Sequence, residues 1–230
     1  DLAFVPGDSD ITWRTPQGQA LASQAVDGGS LVWVTDLPAL SATTLSATRP
    51  AIAASEPAAF ILGDQQVETP FYLISWNEHG HLTRIYDRQH QREVLADHGN
   101  VLTVYEDKPL KYDAWDIEIF YFQKQRPVTE LESVRVIEQG GLRCTIEFVW
   151  RYHQSRVVQQ MRLYRHLRRI DFHTQVDWQD YNQLLKVAFP VAVRATEATY
   201  DVQFGNVKRP TTWNTSWDYA RFESVAHQWA

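Results

Sequence analysis

The sequence is poor in the features that mark small stapled, membrane-spanning or phosphate-binding proteins. It has one cysteine, Cys144, in 230 residues, which excludes an internal disulfide framework and any multi-thiolate zinc site. No apolar run reaches the ~18–20 residues of a membrane span. Positive charge is not in excess: 22 Lys and Arg face 28 Asp and Glu, a formal net charge of -6. A general binder of nucleic acid or of anionic membranes would carry the opposite balance, so neither is expected as a partner. Ser and Gly never fall at the spacings of a Gly-rich phosphate loop or a Gly-x-Ser-x-Gly nucleophile elbow. Residues 1–10 lack the basic and apolar regions of a signal peptide. The chain starts at Asp1 rather than Met, as an excised fragment would.

What is abundant is aromatic. There are 9 Trp, 10 Tyr and 10 Phe, within a hydrophobic content of 44% that can bury a sizeable core. Such a bias suits a large β core. It equally suits a carbohydrate surface, where rings stack on the apolar faces of sugars, and composition does not choose between the two.

A period of two recurs along the chain. Ile170, Phe172, Thr174, Val176 and Trp178 alternate with Asp171, His173, Gln175 and Asp177. The same alternation places Tyr200, Val202 and Phe204 on one face, Val134 and Val136 on another, and Trp115, Ile117, Ile119 and Tyr121 on a third. Each segment predicts a strand with one buried face. Cys144 shares its parity with Ile146, Phe148 and Trp150, which makes it a small core residue rather than a reactive thiol. Asn77-Glu-His-Gly80 reads as a hairpin turn between residues 71–76 and 81–86, and residues 139–141 separate two further strands. Residues 156–169 carry a partial helical pattern, but the β-branched pair Val157-Val158 favours a long strand. Residues 31–34 form a strand after the turn at Asp27-Gly-Gly29. The predicted class is all-β, a large antiparallel supersandwich (galactose mutarotase-like) preceded by a short β segment. Residues 37–59 are rich in Ala, Ser, Thr and Pro, which is linker chemistry. The expected organisation is a small β segment over 1–48, a linker over 49–57 and the supersandwich domain over 58–230.

Two clusters are candidates for chemistry. Tyr105-Glu-Asp-Lys-Pro109 followed by Tyr112-Asp-Ala-Trp-Asp-Ile-Glu118 packs carboxylates among rings. Carboxylates accept hydrogen bonds from sugar hydroxyls, although the same acids could be solvated or cap turns. Residues 208–223 interleave Trp213, Trp217 and Tyr219 with Asn214, Thr215, Ser216 and Asp218. A long loop of that composition is either ordered by its own packing or lines a site. Trp115, Asp116, Asn214, Trp217 and Asp218 are the candidate substrate-binding residues. His79 and His81 share a tight turn, but no third ligand stands at a recognisable zinc spacing, so no metal site is assigned to this chain. His227 is a weaker candidate after the second cluster. Asp/Glu pairs are too numerous for counting to locate a glycosidase-type pair.

A series of motifs occurs in order: Gln91-Arg-Glu-Val-Leu95, Gly99-Asn-Val-Leu102, Tyr105-Glu-Asp-Lys-Pro109, Tyr112-Asp-Ala-Trp-Asp-Ile117, Val176-Asp-Trp178 and Leu184-Leu-Lys-Val-Ala-Phe-Pro190. Phe204-Gly205, Arg209-Pro-Thr-Thr-Trp-Asn-Thr-Ser-Trp-Asp-Tyr-Ala-Arg-Phe-Glu223 and His227-Gln-Trp229 complete it. Over roughly residues 60–229 this series resembles the C-terminal β region of glycoside hydrolase family 38, the class II α-mannosidases, of the cytosolic and bacterial type.

The resemblance implies a supersandwich fold and a zinc-dependent retaining exo-α-mannosidase as the parent activity, with a nucleophilic aspartate and a second carboxylate as acid and base. It also implies that zinc and nucleophile belong to an N-terminal catalytic α/β domain that nothing here resembles. No catalytic residue is therefore carried over to this chain, no cofactor is expected in it, and truncation at both ends is expected. The implied partners are that α/β domain of the same polypeptide and mannosides or oligosaccharides. Cys144 and the resemblance together imply a cytoplasmic location. Thr212 departs from the family pattern, which often has His there.

A free-standing carbohydrate-binding module is the alternative function. A mutarotase-like epimerase would need a convergent Glu and His pair that no motif nominates.

Overall fold

The computed structural model describes all residues except Asp10, residues 50–57 and Ala114. Leu2–Pro6 (β1), Thr12–Arg14 (β2), Ser23–Val26 (β3), Gly29–Trp33 (β4) and Ser46–Thr48 (β5) come first. Ile61–Gly63 (β6), Gln66–Glu68 (β7), Tyr72–Trp76 (β8), Leu82–Asp87 (β9), Arg92–Glu93 (β10) and Val101–Glu106 (β11) follow. A 3-10 helix, Ile119–Gln123, leads into Gln125–Pro127 (β12), Glu130–Gln139 (β13), Arg143–Tyr152 (β14), Ser155–Tyr164 (β15) and Ile170–Asp177 (β16). The chain continues through Gln183–Ala188 (β17), Glu197–Val202 (β18), Gly205–Pro210 (β19) and one short helix, Ser216–Ala220 (α1).

All of these strands pair antiparallel. The main sheets run in the order β10-β9-β8-β7-β6, β12-β11-β17 and β13-β14-β15-β16, with β1-β4-β3, β18-β19 and β2-β5 as smaller units. The fold is the all-β class that the alternation predicts. On β14, Cys144, Ile146, Phe148 and Trp150 are wholly buried, and on β15 Val157, Met161 and Leu163 are buried beside them. These side chains share one core with Val67, Ile74, Trp76, Leu82 and Ile85 from β7–β9 and with Leu102 and Val104 from β11. The four-stranded sheet therefore packs on the other two main sheets as a sandwich. Trp76 meets Phe148 edge-on at 5.5 Å, and Phe148 stacks on Trp150 at 5.5 Å. Burying each such ring contributes about 1.5–3 kcal/mol.

The turn between β8 and β9 ties the layers together. Asn77 Oδ1 accepts the backbone N–H groups of His79 and His81, both at 3.0 Å. Gly80 takes φ +77°, and a Cβ there would lie 2.8 Å from the Trp150 ring. Trp150 Nε1 donates to the His79 carbonyl at 2.7 Å. The predicted hairpin thus needs its glycine twice, once for the dihedral and once for the contact.

The small N-terminal sheet docks through Gln24 on β3 and through Trp33 on β4, whose ring stacks on His166 at 4.8 Å. Gln24 on β3 accepts from the N–H groups of Leu142 and Arg143 at 2.8 and 2.7 Å, and donates to Glu138 Oε1 at 2.5 Å and to the Arg143 carbonyl at 3.1 Å. It therefore grips the predicted turn between β13 and β14.

Four local expectations change. Residues 115–121 are not a strand. Tyr112 turns the chain at φ +59°, its carbonyl accepts the N–H groups of Trp115 and Asp116, and the 3-10 helix follows. Local carbonyls satisfy the donors that a partner strand would otherwise have taken. β18 is a strand, but its buried residue is Asp201; Phe204 sits at φ +61° in the two-residue turn to β19 and is fully exposed. Val136 and Val176 lie on β13 and β16, the outer strands of their sheet, and stay 45% and 46% exposed. Within the linker-like stretch 37–59, β5 pairs with β2. Residues 50–57 of the expected linker lie outside the described residues.

Candidate functional site

β11 and β17 run side by side, with Thr103 opposite Lys186 and Glu106 opposite Gln183. The first polar-aromatic cluster leaves the end of β11, and the 3-10 helix brings the chain back to β12 on the other edge of β11. Trp115 is 89% exposed on this excursion. Asp116 Oδ1 accepts from the next residue's N–H at 3.1 Å, so it orders its own turn.

The second cluster is not one long loop. β19 runs to Pro210, residues 211–215 turn, and α1 follows. Thr215 and Asp218 form a reciprocal capping box, with the Thr215 hydroxyl accepting from the Asp218 N–H at 3.2 Å and the Asp218 carboxylate accepting from the Thr215 N–H at 3.1 Å. Asn214 donates to the Thr212 hydroxyl at 2.9 Å. Trp213 meets Tyr219 edge-on at 5.8 Å, while Trp217 is 72% exposed with the Arg221 guanidinium over its ring. Asp218 and Asn214 thus order the segment that presents Trp217.

The described contacts between the clusters run through residues outside the predicted set. Tyr121, on the 3-10 helix, donates to Glu223 Oε1 at 2.6 Å across 102 residues of sequence. Lys186 donates to the Tyr121 hydroxyl at 2.8 Å, pairs with Glu223 and lies 4.7 Å from the centre of the Tyr121 ring. Tyr105 packs edge-on against Tyr121 at 5.0 Å, and Phe222 approaches it from the other cluster at 6.2 Å. Desolvation pushes the Tyr121 hydroxyl pKa up, and the Glu223 carboxylate adds to the rise. Desolvation works against the Glu223 charge, but the Lys186 ammonium and the Tyr121 hydroxyl outweigh it and hold that carboxyl below its usual range. Desolvation likewise opposes the Lys186 charge, and Glu223 and Tyr121 reverse it, so the amine is raised. The three form one satisfied polar joint. Lys186 was legible in principle: a lysine between Leu185 and Val187 on a strand needs a counter-charge. Its identity as Glu223 was not.

Beside the joint, a groove of about 650 Å³ runs between the end of β11 and the 3-10 helix. Glu106 at its rim is engaged by Lys108 and Lys124, whose hydrogen bonds bring its pKa down to about 2.

The histidines make ordinary structural contacts. A ring nitrogen of His79 lies 3.1 Å from the Thr129 carbonyl, and one of His81 lies 3.3 Å from that of Val128; burial lowers the His81 pKa. His90 pairs with buried Asp87, and His153 with Asp180. The backbone N–H of His227 donates to the Asp201 carboxylate at 2.8 Å. Among the described residues no three His, Cys, Asp or Glu side chains are grouped to hold a metal ion. The zinc implied by the sequence resemblance therefore does not fit these residues, and no step here is routed through it. No helix among the described residues is long and apolar enough to cross a membrane.

Comparison with known proteins gives a consistent pattern. A profile of the family described as "Glycosyl hydrolases family 38 C-terminal domain" matches residues 67–230. Alpha-mannosidase G of Dictyostelium discoideum is 37% identical over 180 residues, which cover 73% of this chain and 16% of that protein. Alpha-mannosidase 2C1 of Homo sapiens is 39% identical over 154 residues, 65% of this chain and 15% of that protein. The chain thus spans about one sixth of the length of these relatives. The crystal structure of an alpha-mannosidase from Enterococcus faecalis V583 superposes with a TM-score of 0.68 at 11% identity, covering 92% of this chain and 30% of that one. At that identity the likeness speaks for the fold.

Proposed function

The chain belongs to the family of glycosyl hydrolase family 38 C-terminal domains, and from that premise we propose that it is a non-catalytic β domain of an α-mannosidase. In this reading the full-length enzyme hydrolyses terminal α-D-mannosyl residues of mannosides or oligosaccharides by a zinc-dependent retaining route. Zinc, nucleophile and acid/base would be carried by a catalytic α/β domain of the same polypeptide. Residues 1–48 act as a small β segment, 49–57 as linker and 58–230 as the supersandwich domain. The enzyme works in the cytoplasm, with no nucleic-acid or membrane partner.

The observation that carries this reading is the joint of Tyr121, Lys186 and Glu223, which anchors two polar-aromatic excursions to one place on the sandwich. In this reading Trp115, Asp116, Asn214, Trp217 and Asp218 face the wall of a sugar pocket built mainly on another domain, and a rigid scaffold helps to complete such a site. Exposed Trp217, Trp229 and Val193 supply apolar area for the interdomain contact.

The test compares the 230-residue chain with a polypeptide that also carries the catalytic domain. The chain alone should hydrolyse no aryl α-mannoside with added zinc, while the longer polypeptide should, and Tyr121→Phe in it should lower kcat/KM about tenfold by loosening the joint. Turnover by the purified chain that survives metal-titration controls overturns the reading.

A further inference from the structure

The face of the sandwich under the N-terminal sheet carries a half-buried positive charge that no carboxylate neutralises. Gln160 and Arg162 alternate along β15 with the buried Met161 and Leu163, so they leave the strand on the side opposite the core. The N-terminal sheet lies over that side, and a cleft of about 830 Å³ remains between the two. Arg162 lines the cleft half-buried. Its Nη2 donates to a neutral acceptor, Gln160 Oε1, at 2.9 Å, and its Nε is withdrawn from solvent without an acceptor among the described residues. Nη1 makes no described hydrogen bond and is not withdrawn, so it is the edge of the guanidinium that a ligand in the cleft can reach.

The neighbouring carboxylates are committed elsewhere. Asp171 stands opposite Arg162 on β16, but it accepts from the Tyr164 hydroxyl at 2.6 Å and pairs with Arg169 at 2.9 Å. Glu147, opposite Gln160 on β14, pairs with Arg135 at 2.7 Å. Glu138 is held by Arg143 at 2.7 Å and by Thr145 and Gln24, so that pair cancels its own charge. Asp27, exposed in the turn after β3, lines the opposite wall and pairs with no described cation. A guanidinium taken partly out of water without a counter-charge is unfavourable, and an entering anion relieves that state. The lining also selects the anion. One uncompensated guanidinium matches one negative charge, and Asp27 across the cleft opposes a second. The Nη1 edge and the Gln160 amide, whose Nε2 has no described acceptor, offer donors to the two oxygens of a carboxylate. Phe4 on β1 and Ile137 on β13, 54% and 45% exposed, line the same cleft and give apolar surface for the body of a ligand. The volume lies within the range of small-molecule sites.

We propose that the cleft between the N-terminal sheet and the sandwich binds a small organic monocarboxylate with an apolar body. The carboxylate accepts from Arg162 Nη1 and Gln160 Nε2, and the body lies against Phe4 and Ile137. The site involves neither polar-aromatic cluster and does not rest on the α-mannosidase reading.

Titration of the isotope-labelled 230-residue chain with 4-phenylbutyrate at low salt, followed by NMR, tests it. Saturable shifts are expected at the amides of Phe4, Ile137 and Arg162 and at the Arg162 side chain, with a dissociation constant on the order of 1 mM. The isosteric 4-phenylbutyramide keeps the body without the charge, and acetate keeps the charge without the body; each should bind about tenfold more weakly. Arg162→Gln should weaken 4-phenylbutyrate about tenfold, Phe4→Ala about threefold, and Asp27→Asn should tighten it about twofold. No saturable shift up to about 20 mM 4-phenylbutyrate overturns the site, on the same affinity scale. Equal binding of the amide, tighter binding of inorganic phosphate than of 4-phenylbutyrate, or unchanged binding by Arg162→Gln each overturns it as well. Should Arg162→Gln not fold, the two exposed positions decide: unchanged binding by both Phe4→Ala and Asp27→Asn overturns the site, and opposite shifts support it.

Discussion

Replacing Gln24 with Ala removes the hydrogen-bonding side chain by which β3 holds the β13–β14 turn, leaving the Trp33–His166 stack in place, and the effect can be sized from the contacts. Four hydrogen bonds disappear: two from the N–H groups of Leu142 and Arg143 to Oε1, and two from Nε2 to Glu138 and the Arg143 carbonyl. Glu138 keeps Arg143 at 2.7 Å and Thr145 at 3.2 Å, so its charge stays paired. Leu142 is 2% exposed, and its N–H is the group most exposed to a full desolvation penalty, ~1–3 kcal/mol. The cleft between β3 and the β13–β14 hairpin, about 830 Å³, admits water to the other three groups, whose loss counts only ~0.5 kcal/mol each. The sum is about 3 kcal/mol. For a chain of this size, ~2–4 °C per kcal/mol converts this to a melting temperature lower by about 6–12 °C. Thermal unfolding followed by circular dichroism measures the shift, and hydrogen exchange at the Leu142 and Arg143 amides tests its origin. Gln24→Leu, which keeps the bulk, should behave like Gln24→Ala if hydrogen bonding rather than packing is responsible. A melting temperature within ~2 °C of wild type, or wild-type protection at both amides, refutes the reasoning.

Two further outcomes follow from the titration of buried groups. Cys144 is wholly buried, and burial pushes its thiol up to about 12, so iodoacetamide at pH 8 should leave the folded chain unmodified and label it fully in urea, read by mass spectrometry; labelling of the folded chain would contradict its place in the core. Asp201 is desolvated, yet the N–H groups of Trp229, Gln228 and His227 outweigh that and hold its carboxyl below its ordinary pKa, so anchoring of the C-terminal segment is complete above pH ~4 and fades as pH falls through the lower folded value. Limited proteolysis with pepsin across pH 2–5 should release residues after 224 only at the acid end, and Asp201→Ala should release them at every pH; uniform resistance in the variant would show that other contacts hold the segment.

Much of the sandwich is legible in the sequence because a strand reports its own faces. The alternation of Cys144, Ile146, Phe148 and Trp150 identifies the buried face of β14. The Asn77–Gly80 turn is a local matter of one Asn side chain and one positive φ. The ordered motifs from residue 91 onward pointed to the same family that the profile over 67–230 identifies. Where the alternation misled, the missing factor was a neighbour. Residues 115–121 alternate as a strand does, but the described 3-10 helix satisfies its donors locally. Phe204 continues the parity of Tyr200 and Val202 yet lies in a turn, and Asp201, on the polar face, is buried by a segment 26 residues later.

The candidate site divides in the same way. Sequence identified the two polar-aromatic clusters as unlike ordinary loops or strands, and tertiary structure decided which side chains join them. Asp218 and Asn214, expected from sequence to face substrate, order their own helix and turn. Tyr121, Lys186 and Glu223 attracted no notice as site residues and form the joint. The composition and periodicity of this chain determined its class, its core strands and its turns, because those depend on residues a few positions apart. Only the closed sandwich decided that Tyr121 meets Glu223 across 102 residues and that Asp107 Oδ1 meets no described donor. A hydrogen bond needs its partner within about 3 Å in space, and side-chain pattern along a chain carries no record of that distance.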